Sequence, residues 1–421
     1  MSVASVSQTI ALQHEYLAPK LNNLTLAASK LWGRIKVRTD IKAISNRPAR
    51  IAFETLTGGK FRVYNPDGGD MGQGSGSVMA YGTITNCYYL LACQYTALTE
   101  YSTDTDTKAI ENYATKQLQD STKWFAGYMD ALIQHDGSNT IGTVVSVTGT
   151  EVVVDNANYF QDNQDIDWYS SLGGSASYLG SSTILSIDSG SNAIWLTAAP
   201  PAAVGVGTLA LISGAAGLAN TGYYGLRAFQ VNGNAGSYLG IQKNSAPGKF
   251  STPYINANSQ AITAQRARAL KAQIELAVGT ERADKPDFVA HMNVDSVAAW
   301  ENIGLTVSRN IWNEQKGNST EDMQKRNSVE TFMEYEILKN ERAAPQIIDL
   351  LNLPEWSRVE GKPVDYYEVG GQTMFTAYGA SGGTAASTMF YLVHGGNLFL
   401  EQPRESAYMA NLPTQPGYFG N

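Results

Sequence analysis

The stretch "NPDGGDMGQGSGS", Asn65–Ser77, carries glycine at 68, 69, 72, 74 and 76, and what flanks it decides the fold. A glycine-rich loop between a strand and a helix aims the helix N-terminus at a phosphate, whereas the same loop between two strands is a hairpin tip. Before it, "RIAFETL" (50–56) alternates Ile51, Phe53 and Thr55 with Ala52 and Glu54. "KFRVYN" (60–65) alternates Phe61 and Val63 with Lys60 and Arg62. After it, "SVMAYGTITNCYYLLACQY" (77–95) resumes a β-branched and aromatic run. Neither G-x-G-x-x-G nor Gly-Lys-Ser/Thr spacing occurs, so the loop reads as a hairpin tip and not a nucleotide cradle. At about 3.3 Å per residue a fifteen-residue leg reaches roughly 50 Å, too far for a compact core. The hairpin is expected to project.

The chain has 421 residues, enough for two or three domains, with 43% hydrophobic and only 16% charged residues. Its formal net charge of −8 excludes a dedicated phosphate-backbone binder, which needs a clustered basic face. Cys87 and Cys93 fall in one apparent strand, roughly 20 Å apart, too far to bridge. No signal peptide opens the sequence, and the uncharged stretch 189–226 is broken by Pro200-Pro201 and by glycines at 205, 207, 214, 217 and 222, so no membrane span is expected. These features are those of a protein made in the cytoplasm.

Along the chain, residues 1–48 read as an extended or partly helical arm with scattered apolar positions. Asp104–His135 reads as a long helix, with Ile110, Ala114, Leu118, Thr122, Phe125, Met129 and Leu132 as its stripe and Gly137 as its stop. Residues 139–213 hold short strands joined by Gly/Ser/Asn/Asp turns, as in a small β-barrel or sandwich. A helix at Thr263–Val278, a strand at Asp287–Met292 and a helix at Val294–Asn302 follow, with a β-rich close from Tyr366 to Leu400. The class is α+β.

Chemical motifs are weak. "GASGG" (379–383) fits G-x-S-x-G with Ser381 as nucleophile and His394 downstream, but a strand follows it and no acid lies between them, so it reads as a hairpin turn. This leaves a serine hydrolase as the rival from another functional class. The four histidines (14, 135, 291, 394) lack metal-ligand spacing and read as solvated or hydrogen-bonded residues. "DNQDID" (162–167) lacks the glycine and glutamate of a calcium loop and reads as a solvated barrel loop. Arg266, Arg268 and Lys271 lie on one helix and read as a solvated or intersubunit face. Catalytic residues, metal ligands and cofactors are not expected.

An arm, a projecting hairpin and a long helix suit a subunit that lies across its neighbours. In that order, the chain resembles the major capsid proteins of tailed bacteriophages, with the Hong Kong ninety-seven capsid fold. "LGIQKNSAPGKFSTPYINANSQAITAQRARALKAQIELAVG" (239–279) and "KPDFVAHMNVDSVAAWENIG" (285–304) resemble the family's succession of Gly-Ile strand, Pro-containing turn, helix, Pro-Asp strand and second helix. Residues 135–160 resemble the start of the small β-domain inserted in several members.

The resemblance implies an N-terminal arm at 1–48 and an extended loop with the start of the peripheral domain at 49–103. It further implies a spine helix at 104–138, the insertion at 139–213, and axial and remaining peripheral domains at 214–421. It implies assembly through hexamers and pentamers into an icosahedral shell loosely enclosing double-stranded DNA, with portal, scaffold or decoration proteins as further partners. The same fold serves encapsulin-type compartments, the alternative reading. Lys60, Arg62, Asp67, Gly68, Gly69, Asp70, Gly72, Gly74 and Gly76 are the expected intersubunit contacts, the glycines letting the tip bend against a neighbour.

Overall fold

The computed structural model describes residues 30–40, 48–63, 72–96, 113–219, 221–283, 287–312, 331–333, 335–378 and 384–413. The arm before Lys30 and the start of the expected long helix lie outside them. Within them, helix α1 (Tyr113–Leu132) buries Thr122, Phe125, Met129 and Leu132 along one stripe, as its three- and four-residue spacing requires. It ends at Leu132, three residues before the expected His135, and the turn that follows places Gly137 at φ +85°.

Helix α1 packs on a five-stranded sheet. Its central strand is β20 (Thr384–Leu400), flanked by β4 (Cys87–Thr96), β18 (Trp356–Tyr366) and β19 (Met374–Tyr378). Strand β1 (Lys36–Val37) adds to β18 in parallel. The run 77–95 is therefore two strands. It breaks at Thr85-Asn86 because β3 (Val78–Ile84) pairs with β2 (Ala49–Leu56), while β4 pairs with β20.

A closed six-stranded barrel occupies residues 140–212, in the order β10 (Leu209–Ile212), β5 (Thr140–Thr148), β6 (Glu151–Val154), β9 (Ala193–Leu196), β8 (Tyr178–Asp188), β7 (Asp165–Tyr169). Its interior takes alternate residues such as Val152, Val154, Ile166, Trp168 and Ile194. Closure removes the free edges that such short strands would otherwise expose. The acidic stretch 162–167 is not simply a solvated loop. Asp167 is buried on β7 and its carboxylate accepts the Gly214 N–H at 2.8 Å.

A six-stranded sheet closes the chain, in the order β13 (Tyr254–Asn256), β21 (Ala407–Ala410), β17 (Ile348–Asn352), β14 (Phe288–Met292), β16 (Tyr335–Lys339), β15 (Thr331–Phe332). One face of it, with Phe288, Ala290, Met292, Ile348 and Leu350, makes a second hydrophobic core with Ala267, Leu270 and Ile274 of helix α2 (Ala264–Val278) and with helix α3 (Val294–Trp312). Helix α2 starts where its cap dictates: the Thr263 hydroxyl accepts the Arg266 N–H at 3.2 Å. Helix α3 runs ten residues past the expected Asn302.

Candidate functional site

The hairpin of β2 and β3 is built on two faces. In β2 and β3, Ala49, Ile51 and Phe53 pair with Ile84, Gly82 and Ala80, and strand alternation puts all six on the inner face. The Phe53 ring meets Tyr238 and Phe250 edge-on, at 5.9 and 5.8 Å between centroids, and the last two rings stack at 4.9 Å. Tyr238 belongs to the short pair β11 (Ser237–Tyr238) and β12 (Ile241–Gln242). The Thr83 N–H donates to the Leu239 carbonyl at 2.9 Å, joining β3 to the turn between them.

Gly82 makes this close approach possible: a Cβ there would fall 2.8 Å from Cε2 of Phe53 and 3.1 Å from Cβ of Leu239. Gly82→Leu should therefore unseat the hairpin base at a cost of about 1–3 kcal/mol, the usual range for overpacking. Limited proteolysis is expected to cut within 49–84 several times faster while the β-barrel fragment stays intact.

Among the described residues the outer face has no such cover. Arg50, Ala52 and Glu54 pair with Thr83, Tyr81 and Met79, and Tyr81 and Met79 are 67% and 57% exposed. Over residues 57–63 the expected second strand segment is not formed, which corrects the reading of Lys60–Val63; Tyr64 and Asn65 lie outside the described residues. Gly59 takes φ +93°, and Phe61 and Val63 stand fully exposed at 105% and 100%. Alternation there has no surface to pack against, so it specifies no strand. The legs still meet, the Gly59 N–H donating to the Ser75 carbonyl at 2.7 Å.

Of the expected contact residues, Lys60 and Arg62 lie exposed on the irregular leg, and Gly72, Gly74 and Gly76 lie exposed on the returning one. The Arg62 guanidinium covers Gly72, where φ is +68° and a Cβ would fall 1.8 Å from Nη1. Asp67, Gly68, Gly69 and Asp70 lie outside the described residues. Met79 and Tyr81, which are outside the expected set, stand on this outer face by the register of β3 against β2.

The other chemical candidates do not assemble. Ser381 lies outside the described residues, but its flanks pair antiparallel, Tyr378 with Thr384, as a hairpin. His394 is ten residues along β20 from Thr384, roughly 33 Å at strand rise. It is neither solvated nor well hydrogen-bonded, which corrects its reading. Its buried ring packs against Trp32, Phe125 and Tyr223 at 5.7, 6.3 and 6.1 Å, with the Lys362 backbone its weak polar neighbour. Burial, reinforced by the Arg358 guanidinium, pushes its pKa down to about 3. Burial pushes His135 down to about 4.

Lys271 is engaged within the chain, its ammonium 5.7 Å from the Tyr335 ring. Cys87 and Cys93 are free thiols, both raised to about 11 by burial. No described helix is long and apolar enough to cross a membrane.

No family model matches the sequence, and no curated protein matches it. Solved structures do. A chain of the cyanophage A-1(L) capsid asymmetric unit superposes with a TM-score of 0.52 at 11% identity, covering 91% of both chains. The capsid of the native GTA particle gives 0.45 at 10% identity, covering 91% of this chain and 90% of that one, and adds no argument of its own. The first match establishes a phage capsid fold of mixed α+β class.

Proposed function

Because the chain carries the phage capsid fold, we propose that it is the shell protein of a tailed bacteriophage, assembling with copies of itself into an icosahedral capsid. One observation carries the reading. The hairpin 49–84 is seated on its inner face and leaves Met79, Tyr81, Phe61 and Val63 uncovered at its far reach. Burying a side chain of this size is worth about 1.5–3 kcal/mol, so a surface holding several implies a partner. A fold that closes into shells makes that partner another copy.

In this reading the subunits group as hexamers and pentamers around double-stranded DNA. Residues 49–103 are the extended loop and the start of the peripheral domain, α1 is the spine, and the barrel at 139–213 is an insertion into the shell fold. Lys60, Arg62 and Gly72–Gly76 ride at the contact. The net charge of −8 keeps the lining from gripping DNA.

Deleting Pro66–Gly76 tests the assignment. The variant should fold and be recovered as subunits, and negative-stain images should show no uniform closed particles. Normal particles from the deletion would remove the hairpin from assembly. Particles isolated with the rest of the virus should protect DNA from nuclease.

A further inference from the structure

The six-stranded sheet has a second face, opposite its own core: the Val289–Leu351 pair there joins the hydrophobic core of the five-stranded sheet and barrel, and a polar seam runs beside it. Along β14, Phe288, Ala290 and Met292 face the second core, so His291 faces the other way. Asp349 is its cross-strand partner on β17. Both are fully buried. The His291 Nδ1 lies 3.4 Å from Oδ2 of Asp349, and the Arg227 guanidinium donates to both Asp349 oxygens at 2.5 and 2.6 Å. Burial alone would raise the Asp349 pKa, yet Arg227 and His291 hold it below the usual carboxylate range.

On the other side of His291, the buried Asn340 amide lies 3.2 Å from Nε2 and donates to Oδ2 of Asp130 at 2.8 Å. Its carbonyl accepts the Arg342 N–H at 3.0 Å, which fixes the amide orientation. His291 therefore accepts at Nε2 and donates from Nδ1. Asp130, fully buried on α1, spends its other oxygen on the Leu31 and Trp32 N–H groups at 2.9 and 3.0 Å. Asp130 thus ties together three parts of the sequence: residues 31–32, its own helix α1 and residue 340.

The strap that begins there is held further along. The Arg358 guanidinium lies 4.1 Å from the Trp32 ring and donates from Nε to the Ile35 carbonyl at 3.1 Å.

We infer that this buried seam, Arg227–Asp349–His291–Asn340–Asp130, is a conformational lock that makes release of strap residues 31–32 and displacement of the six-stranded sheet one event. Every member has its neighbour as a buried polar partner, so opening either end strands a donor or acceptor out of water. Such seams specify alignment more than they add stability. Asn340 is the keystone, because its one amide touches both Asp130 and His291.

Hydrogen exchange on the full chain tests the lock. Asn340→Ala should speed exchange at least about tenfold in peptides spanning 30–36 and 287–293, with 392–400 unchanged. Wild-type protection at 30–36, or an equal rise in all three peptides, would overturn it. Should that variant fail to fold, the exchanged pair Asp130→Asn with Asn340→Asp decides. The new amide at 130 keeps an oxygen for the Leu31 and Trp32 N–H groups and turns its donor toward the new carboxylate. The pair should protect 30–36 at least about fivefold better than Asp130→Asn alone, and no gain would overturn the coupling.

Discussion

Met79→Lys combined with Tyr81→Glu is expected to abolish assembly and leave a folded, solitary chain of 45.4 kDa. Both side chains stand on the outer face of the hairpin, so neither change disturbs the packing of Phe53 on Tyr238 and Phe250. The lysine would face Glu54 across the ladder and gain a cross-strand ion pair, worth a few tenths to about 1 kcal/mol. At a contact between copies the same charges lose the apolar burial of two large side chains, about 1.5–3 kcal/mol each. They also incur the desolvation of ions without partners. Repeated at every contact of a shell, a loss of several kcal/mol leaves no closed particle. Sedimentation velocity should show a single slow boundary where the wild type sediments as large particles. Wild-type sedimentation by the variant would show that the outer face lies outside the contacts.

The second large effect is on pH dependence, and that variant is the form in which to measure it, since shell dissociation would otherwise overlay unfolding. His394 and His135 are neutral in the fold, with pKa values pushed down to about 3 and about 4. In the unfolded chain each takes up its proton near pH 6.5. Between pH 6.5 and 4 the unfolded state binds more protons, so stability is full above 6.5 and falls as pH drops through that window.

At 1.36 kcal/mol per pKa unit the combined loss is on the order of a few kcal/mol by pH 4.5. His394→Phe keeps an aromatic ring among Trp32, Phe125 and Tyr223 and removes the titration. Its urea midpoint should fall distinctly less between pH 7.5 and 4.5 than that of the parent. An identical fall in both would mean that His394 is not protected from protonation as its surroundings require.

What was legible in the sequence follows the range of the interactions. Alternation within "RIAFETL" and the β-branched and aromatic run after the glycine loop identified the hairpin, because both are local patterns. The helix expected at Thr263–Val278 forms as α2, whose Thr263 cap acts on a residue only three positions away. The end of β2 at Leu56 was not legible, because "KFRVYN" alternates as well as "RIAFETL" and differs only in having nothing beneath it.

His394 offered no sign of its aromatic nest. Trp32 and Phe125, which enclose it, lie hundreds of positions away in sequence. The polar seam was equally silent: Asp130, His291, Asn340 and Asp349 become a set only once α1 and the six-stranded sheet are brought together. Of the proposed contact surface, the glycine-rich tip was visible from composition. The two residues now expected to matter most, Met79 and Tyr81, needed the register of β3 against β2.

The claim beneath all of this is that copies of the chain cover the outer face of one another's hairpins. A cryo-electron microscopy reconstruction of the protein assembled near neutral pH tests it most directly. The account predicts closed particles in which Phe61, Val63, Met79 and Tyr81 of each copy are covered by a different copy. A stably solitary molecule, with the hairpin laid back on its own barrel or sheet and those four side chains buried within one chain, would contradict it.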